Sequence, residues 1–134
     1  MEKLIVLPAG ELRVCLEGYI HLVWGPESKD SQAAQVVFTH VLGLLQRTGY
    51  RKLLTDQRQR AIATEEYMGW LLAIWLTQAG GGPHLTHVAI VTARSLEVRL
   101  QAVDVCRQGL YRYGICSRFF DSPAAAEAWL RASA

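Results

Sequence analysis

The stretch KLLTDQRQRAIATEEYMGWLLAIWLTQ, residues 52–78, decides the fold. It opens on a short apolar run ending in Asp56, crosses a polar turn, and continues as a segment that is apolar on nearly every face. The first part reads as a buried strand over 51–56. Thr64 is placed to cap a helix. Glu65 and Glu66 fall in its first turn, where the helix dipole favours negative charge, and the helix is expected to run to Gln78 before AGGGP breaks it.

Working outward toward the N-terminus, KLIVL at Lys3–Leu7 is a strand closed by PAG, and apolar alternation then resumes on both sides of Glu17-Gly18. Leu12, Val14 and Leu16 share one face, so the pair predicts a hairpin. Ser28, Asp30 and Ser31 offer caps for a helix over 33–46 that stops at Gly49. Toward the C-terminus, HLTHVAIVTA is β-branched and apolar, as a strand buried on both faces should be. Ser95 or the residue before it caps a helix reaching about Gln108, with Gly109 as its end. YRYGICSRFF supplies a last strand, and Ser122-Pro123 opens a closing helix with Pro at its first position. The order β-β-β-α-β-α-β-α-β-α implies an α/β fold: a mixed sheet with an N-terminal antiparallel hairpin and a parallel βαβ half flanked by helices, in one domain over 1–134.

Composition bounds the function. The chain has 134 residues, 51% hydrophobic and 19% charged, which excludes a disordered chain. A net charge of +2 provides no general attraction to nucleic acid or anionic lipid. Three cysteines without a CxxC pair argue against a disulfide framework or structural zinc. No run is long enough to span a bilayer and no signal-peptide core precedes Pro8, so a cytoplasmic protein is expected.

The element order, together with Val23-Trp24 at the end of the hairpin, KLLTD at Lys52–Asp56, Trp70 and Trp75 in an apolar helix, and FFDSPAAAEAWL over 119–130, resembles the small bacterial STAS/SEC14-like, or anti-sigma-factor-antagonist-like, proteins. The resemblance implies a STAS-like sheet and a regulatory role through protein contact. Antagonists of that fold carry a phosphorylatable Ser at the start of the helix after the Asp-ended strand. Counted from Asp56, the match falls at Thr64-Glu65-Glu66-Tyr67, where there is no Ser. Thr64 is the available hydroxyl, but the adjacent acids would repel a phosphate, and its expected role is that of a cap.

Ligands of open α/β sheets bind at the carboxyl edge of the parallel strands. That edge collects Asp56, Arg58 and Arg60 after one strand, Arg94 after the next and Arg118 on the last, a set suited to an anion unless the arginines are solvated or paired with nearby acids. His84 and His87 lead into a strand, where residues three apart point to opposite faces, so no metal site is expected. No GxSxG, GxGxxG or P-loop is present, and Cys106 and Cys116 are expected as core or near-core thiols. Neither an enzyme nor a cofactor is implied. The helix over 64–78 is too apolar for one sheet contact. Tyr67, Trp70, Ile74 and Leu76 are therefore expected at an interface, most simply that of a two-fold homodimer. The sequence thus favours a non-enzymatic binding or regulatory module acting on a protein partner. The alternative is a small-molecule carrier whose acidic or amphipathic ligand meets the arginines at the carboxyl edge of the sheet.

Overall fold

The computed structural model of the chain describes residues 3–134. Six strands form one sheet in chain order: β1 (Lys3–Leu7), β2 (Gly10–Cys15), β3 (Tyr19–Trp24), β4 (Lys52–Asp56), β5 (His87–Val91) and β6 (Cys116–Phe120). β1, β2 and β3 pair antiparallel, and β3 to β6 pair parallel. The fold is α/β with a mixed sheet, as the alternation of elements predicts. The helices are α1 (Ser31–Thr48), α2 (Glu65–Trp70), α3 (Leu76–Gly81), α4 (Leu96–Tyr113) and α5 (Pro123–Ala132). A 3-10 turn, Pro26–Lys29, precedes α1, and a π-helical turn, Leu71–Trp75, joins α2 to α3.

The helix starts follow local chemistry. Asp30 accepts from Gln32 N and Ala33 N, Thr64 from Tyr67 N, Ser95 from Val98 N and Ser122 from Ala125 N, each satisfying N–H groups that have no partner within the helix. Two local expectations change. The β2–β3 turn is one residue longer than Glu17-Gly18: Leu16 leaves the strand and is exposed, and Gly18 takes the left-handed conformation that closes such a loop. Nor does α4 end at Gly109. It continues to Tyr113 and is stopped by Gly114 in the left-handed region, while Gly109 is buried against Ile115 and Leu76.

The three parallel crossovers step across the sheet in one direction, and right-handed connections of that kind put their helices on the same face. The larger core therefore lies between the sheet and α1, α2 and α3. It includes Leu12, Leu22, Val37, Val41, Leu53 and Trp75, and α4 extends this layer over β6. The other face is covered by α5, which buries Ala126 and Leu130 against Tyr19, Leu54, Ala89 and Val91. Lys52 holds the end of α5 by donating from Nζ to the carbonyls of Leu130 (2.7 Å) and Ser133 (2.6 Å).

Candidate functional site

The polar turn after β4 is built around one side chain. Arg60 is only 9% exposed. Its guanidinium stacks on Trp24, 4.4 Å from the ring centroid, and on Tyr67, at 5.1 Å. Its Nη1 donates to the carbonyls of Ser28 (3.3 Å) and Ala61 (3.0 Å). Among the described residues no carboxylate pairs with it. Burial pulls its pKa down from the ordinary arginine value, with nearby Tyr67 opposing the shift. Burial likewise drives the Tyr67 hydroxyl far above its usual range. That hydroxyl feels the cation but lies outside hydrogen-bond geometry with it, and Gln57 Oε1 is likewise buried without a hydrogen-bond partner.

The turn itself is stitched from two sides. Ala61 N donates to Ser28 Oγ at 2.9 Å. Gln101, on α4, brackets Ala63: its Nε2 donates to the Ala63 carbonyl and its Oε1 accepts from the Ala63 N–H, both at 2.9 Å. Trp24 is fixed by its Nε1–H donating to Thr55 Oγ1 at 3.1 Å and by edge contact with Phe38. Trp75 donates to the Phe38 carbonyl and its ring lies 4.7 Å from that of Phe38. The result is an aromatic wall around a buried cation.

Behind Arg60 a cavity of about 90 Å³ runs between the sheet and the helices. Leu53, Val88 and Ile90 form its floor, Leu71, Trp75 and Leu76 one wall, and Val98, Ala102 and Val105 the other. Gln57, Arg60, Tyr67 and Gln101 provide the polar groups of its lining. Cys106 and Ser117 also face it. Burial raises the Cys106 thiol pKa, with Ser117 opposing.

A separate depression of about 170 Å³ lies at the carboxyl edge, lined by Val23, Trp24, Asp56, Arg58, Gln59 and Arg94. Trp24 contributes to both places, lining the depression and carrying the Arg60 cation on its ring. Here the expected arginine set divides. Asp56, Arg58 and Arg94 do meet, but Asp56 is buried and takes Arg58 as its own partner, through the backbone N–H (3.1 Å), Nε (3.0 Å) and Nη2 (2.7 Å). Arg60 turns inward. Arg118 is not at this edge at all: it lies mid-strand on β6, exposed and stacked on Phe120. Its strand position, alternate to Ser117, puts it on the face away from the cavity.

The interface set also divides. Tyr67 (1% exposed) and Leu76 (3%) are core residues and have no surface to offer a partner. Trp70 is half-buried and Ile74 is exposed. The reason is the π-helical turn, in which Leu76 N–H bonds back to the Leu71 carbonyl. At about 100° per residue Leu76 would lie opposite Tyr67. A turn closed by i→i+5 bonds takes more residues, so Leu76 is carried back toward the sheet. Thr64 acts as the cap, its Oγ1 accepting from Tyr67 N at 3.1 Å. Cys116, expected near the core, is exposed. Among the described residues no group of three or more His, Cys, Asp or Glu is placed to hold a metal, and no helix is long and apolar enough to cross a membrane.

Sequence reasoning missed Gln101 and the role of Trp24. Nothing in their local pattern marks them, because each acts across the fold. The geometry defines an α/β domain with a buried cation at the polar part of an internal apolar cavity. Comparison with protein-family models, curated proteins and solved structures finds no match to this chain.

Proposed function

We propose that this chain is a non-enzymatic binding module for a small amphipathic anion, whose apolar chain lies in the cavity and whose acidic head turns to Arg60. The observation that carries this reading is a guanidinium buried beside an apolar cavity with no carboxylate partner among the described residues. An ion taken out of water costs several kcal/mol, and two carbonyls and two aromatic faces offset only part of that. An arriving carboxylate would supply the missing partner. Size narrows the class. At about 90 Å³ the cavity is smaller than the roughly 150 Å³ that accommodates benzene. It suits a chain of a few carbons, and a long acyl tail would require the helices to part.

Native mass spectrometry of gently purified protein, followed by thermal shift with straight-chain carboxylates from acetate to decanoate, tests this. We expect stabilisation to peak at short chains, to vanish in Arg60→Met, and to accompany slower alkylation of Cys106. Stabilisation independent of chain length, or unchanged in Arg60→Met, overturns it.

A second reading, a regulatory module acting through protein contact, draws support from apolar side chains left outside the core, Ile74 and half-buried Trp70 among them. A homodimer is its simplest assembly. Trp70→Glu and Ile74→Glu should then weaken association while leaving carboxylate binding intact. The resemblance to bacterial STAS/SEC14-like proteins fits either role, and three cysteines outside any disulfide suit a reducing, cytoplasmic setting.

A further inference from the structure

The polar side chains around the cavity divide into those already bonded within the protein and those that are not. Gln101 is bonded on both sides of Ala63, Thr55 Oγ1 accepts from Trp24, and Ser117 interacts with the Cys106 thiol. Arg60, Tyr67 and Gln57 remain, and they stand together at one end. Gln57 N–H donates to the Val91 carbonyl at the end of β5, and Arg60 N–H closes back on the Gln57 carbonyl, both at 3.0 Å. A turn of that kind keeps its end residues within about 7 Å of each other, and both side chains line the cavity. Tyr67 joins them from α2, its ring 5.1 Å from the guanidinium.

Chemistry fixes what each of the three can offer. Arg60 only donates. The Tyr67 hydroxyl is buried with no hydrogen-bond partner among the described residues, and burial holds its proton in place, so toward an anion it donates as well. Gln57 Oε1 is buried without a partner too, and it can only accept. An ionised carboxylate is itself acceptor-only. It answers Arg60 and Tyr67 and leaves Gln57 Oε1 unmatched. Resting on the carboxylate reading above, we infer that the ligand of this site is a short hydroxy acid. Its carboxylate is taken by Arg60 and Tyr67, and its hydroxyl, on the second or third carbon, donates to Gln57 Oε1. An ammonium could donate in place of the hydroxyl, but it would bury a second cation beside Arg60, so amino acids are rejected. A volume of about 90 Å³ leaves room for only a few carbons beyond the head. Carboxylate, hydroxyl and alkyl group each meet a different part of the wall, which makes the site chiral.

Calorimetric titration of the full chain with butyrate, the separate enantiomers of 2- and 3-hydroxybutyrate, and 2-aminobutyrate tests it. The best hydroxybutyrate should bind on the order of ten- to a hundredfold tighter than butyrate, the difference that an unmet buried acceptor makes. Its mirror image should bind more weakly, and 2-aminobutyrate more weakly than butyrate. Gln57 is half-buried, and Gln57→Met keeps its length while removing the acceptor. That variant should bring hydroxybutyrate and butyrate affinities together and abolish the enantiomer preference, with butyrate still bound. Three results overturn the inference and leave the carboxylate reading standing: butyrate bound as tightly as every hydroxybutyrate, 2-aminobutyrate bound as tightly as the best of them, or a hydroxyl preference that survives Gln57→Met. Failure of every acid to bind the parent overturns both. The comparison of ligands on the parent decides the matter even if Gln57→Met fails to fold.

Discussion

Replacing Arg60 by Met separates a buried charge kept for a ligand from one kept for architecture. Met approximates the length of the aliphatic stem and removes the cation. The losses are two hydrogen bonds from a charged donor, at 3.3 and 3.0 Å, and stacking on Trp24 and Tyr67 at 4.4 and 5.1 Å. Charged hydrogen bonds contribute about 1.5–3 kcal/mol each and cation–π contacts about 0.5–2 kcal/mol each, so the gross loss is roughly 4–10 kcal/mol. Against this stands relief from burying an ion without a counter-charge, itself several kcal/mol. The two nearly cancel, and the variant should lie within about 2 kcal/mol of the parent, on the order of 8 °C in melting temperature for a chain of this size. Short-chain carboxylate affinity should meanwhile fall about 10- to 100-fold, the contribution of one charge-assisted bond. Urea unfolding and calorimetric titration with butyrate measure the two quantities on the same sample. A loss of about 4 kcal/mol or more, the cost of breaking an indispensable buried pair, would refute the reasoning. Arg60 would then be the rivet between the 26–29 and 57–64 segments, and no ligand would be needed to account for it.

Other substitutions test the packing. Gly80→Ala would drive a Cβ into the Tyr113 ring and should cost about 1–3 kcal/mol in chemical denaturation. Gly109→Ala is the counterpart. Its Cβ would meet Ile115 at 3.6 Å and Leu76 at 3.8 Å, ordinary contacts, so better helix propensity should add up to about 1 kcal/mol and the cavity should shrink. Lys52→Met removes both donors from the end of α5 and should lower stability by about 1–3 kcal/mol, with the fastest amide exchange gain in the last turn of that helix. His87 has its pKa lowered by burial and then by the charge of Lys52. Its neutral form is thus favoured in the fold, so its contribution is present above the unfolded value near pH 6.5 and is lost as pH falls below it. Unfolding midpoints measured from about pH 7.5 to 5 should fall less steeply in His87→Asn than in the parent.

The order of elements was written in the sequence, because caps, breakers and apolar periodicity act within a few residues. Asp30, Thr64, Ser95 and Ser122 start their helices as their side chains dictate, and Gly49 ends α1 by adopting a left-handed conformation. That order also pointed to a mixed sheet, since alternating strands and helices most readily form parallel βαβ units. The carboxyl-edge location of Asp56, Arg58 and Arg94 followed from the same topology. The direction of each side chain did not. Arg58 and Arg60 stand two residues apart in one polar turn, yet one binds the Asp56 carboxylate at the surface and the other enters an aromatic wall supplied by β3 and α2. A wheel of uniform pitch put Leu76 on the outside, and the π-helical turn brought it in. Gly109 looked like a stop and proved to be a place of close approach, because Ile115 and Leu76 pack against it. Local chemistry fixed what each segment is. Only the contacts between distant segments decided which face is buried, which cation has a partner, and where the cavity lies.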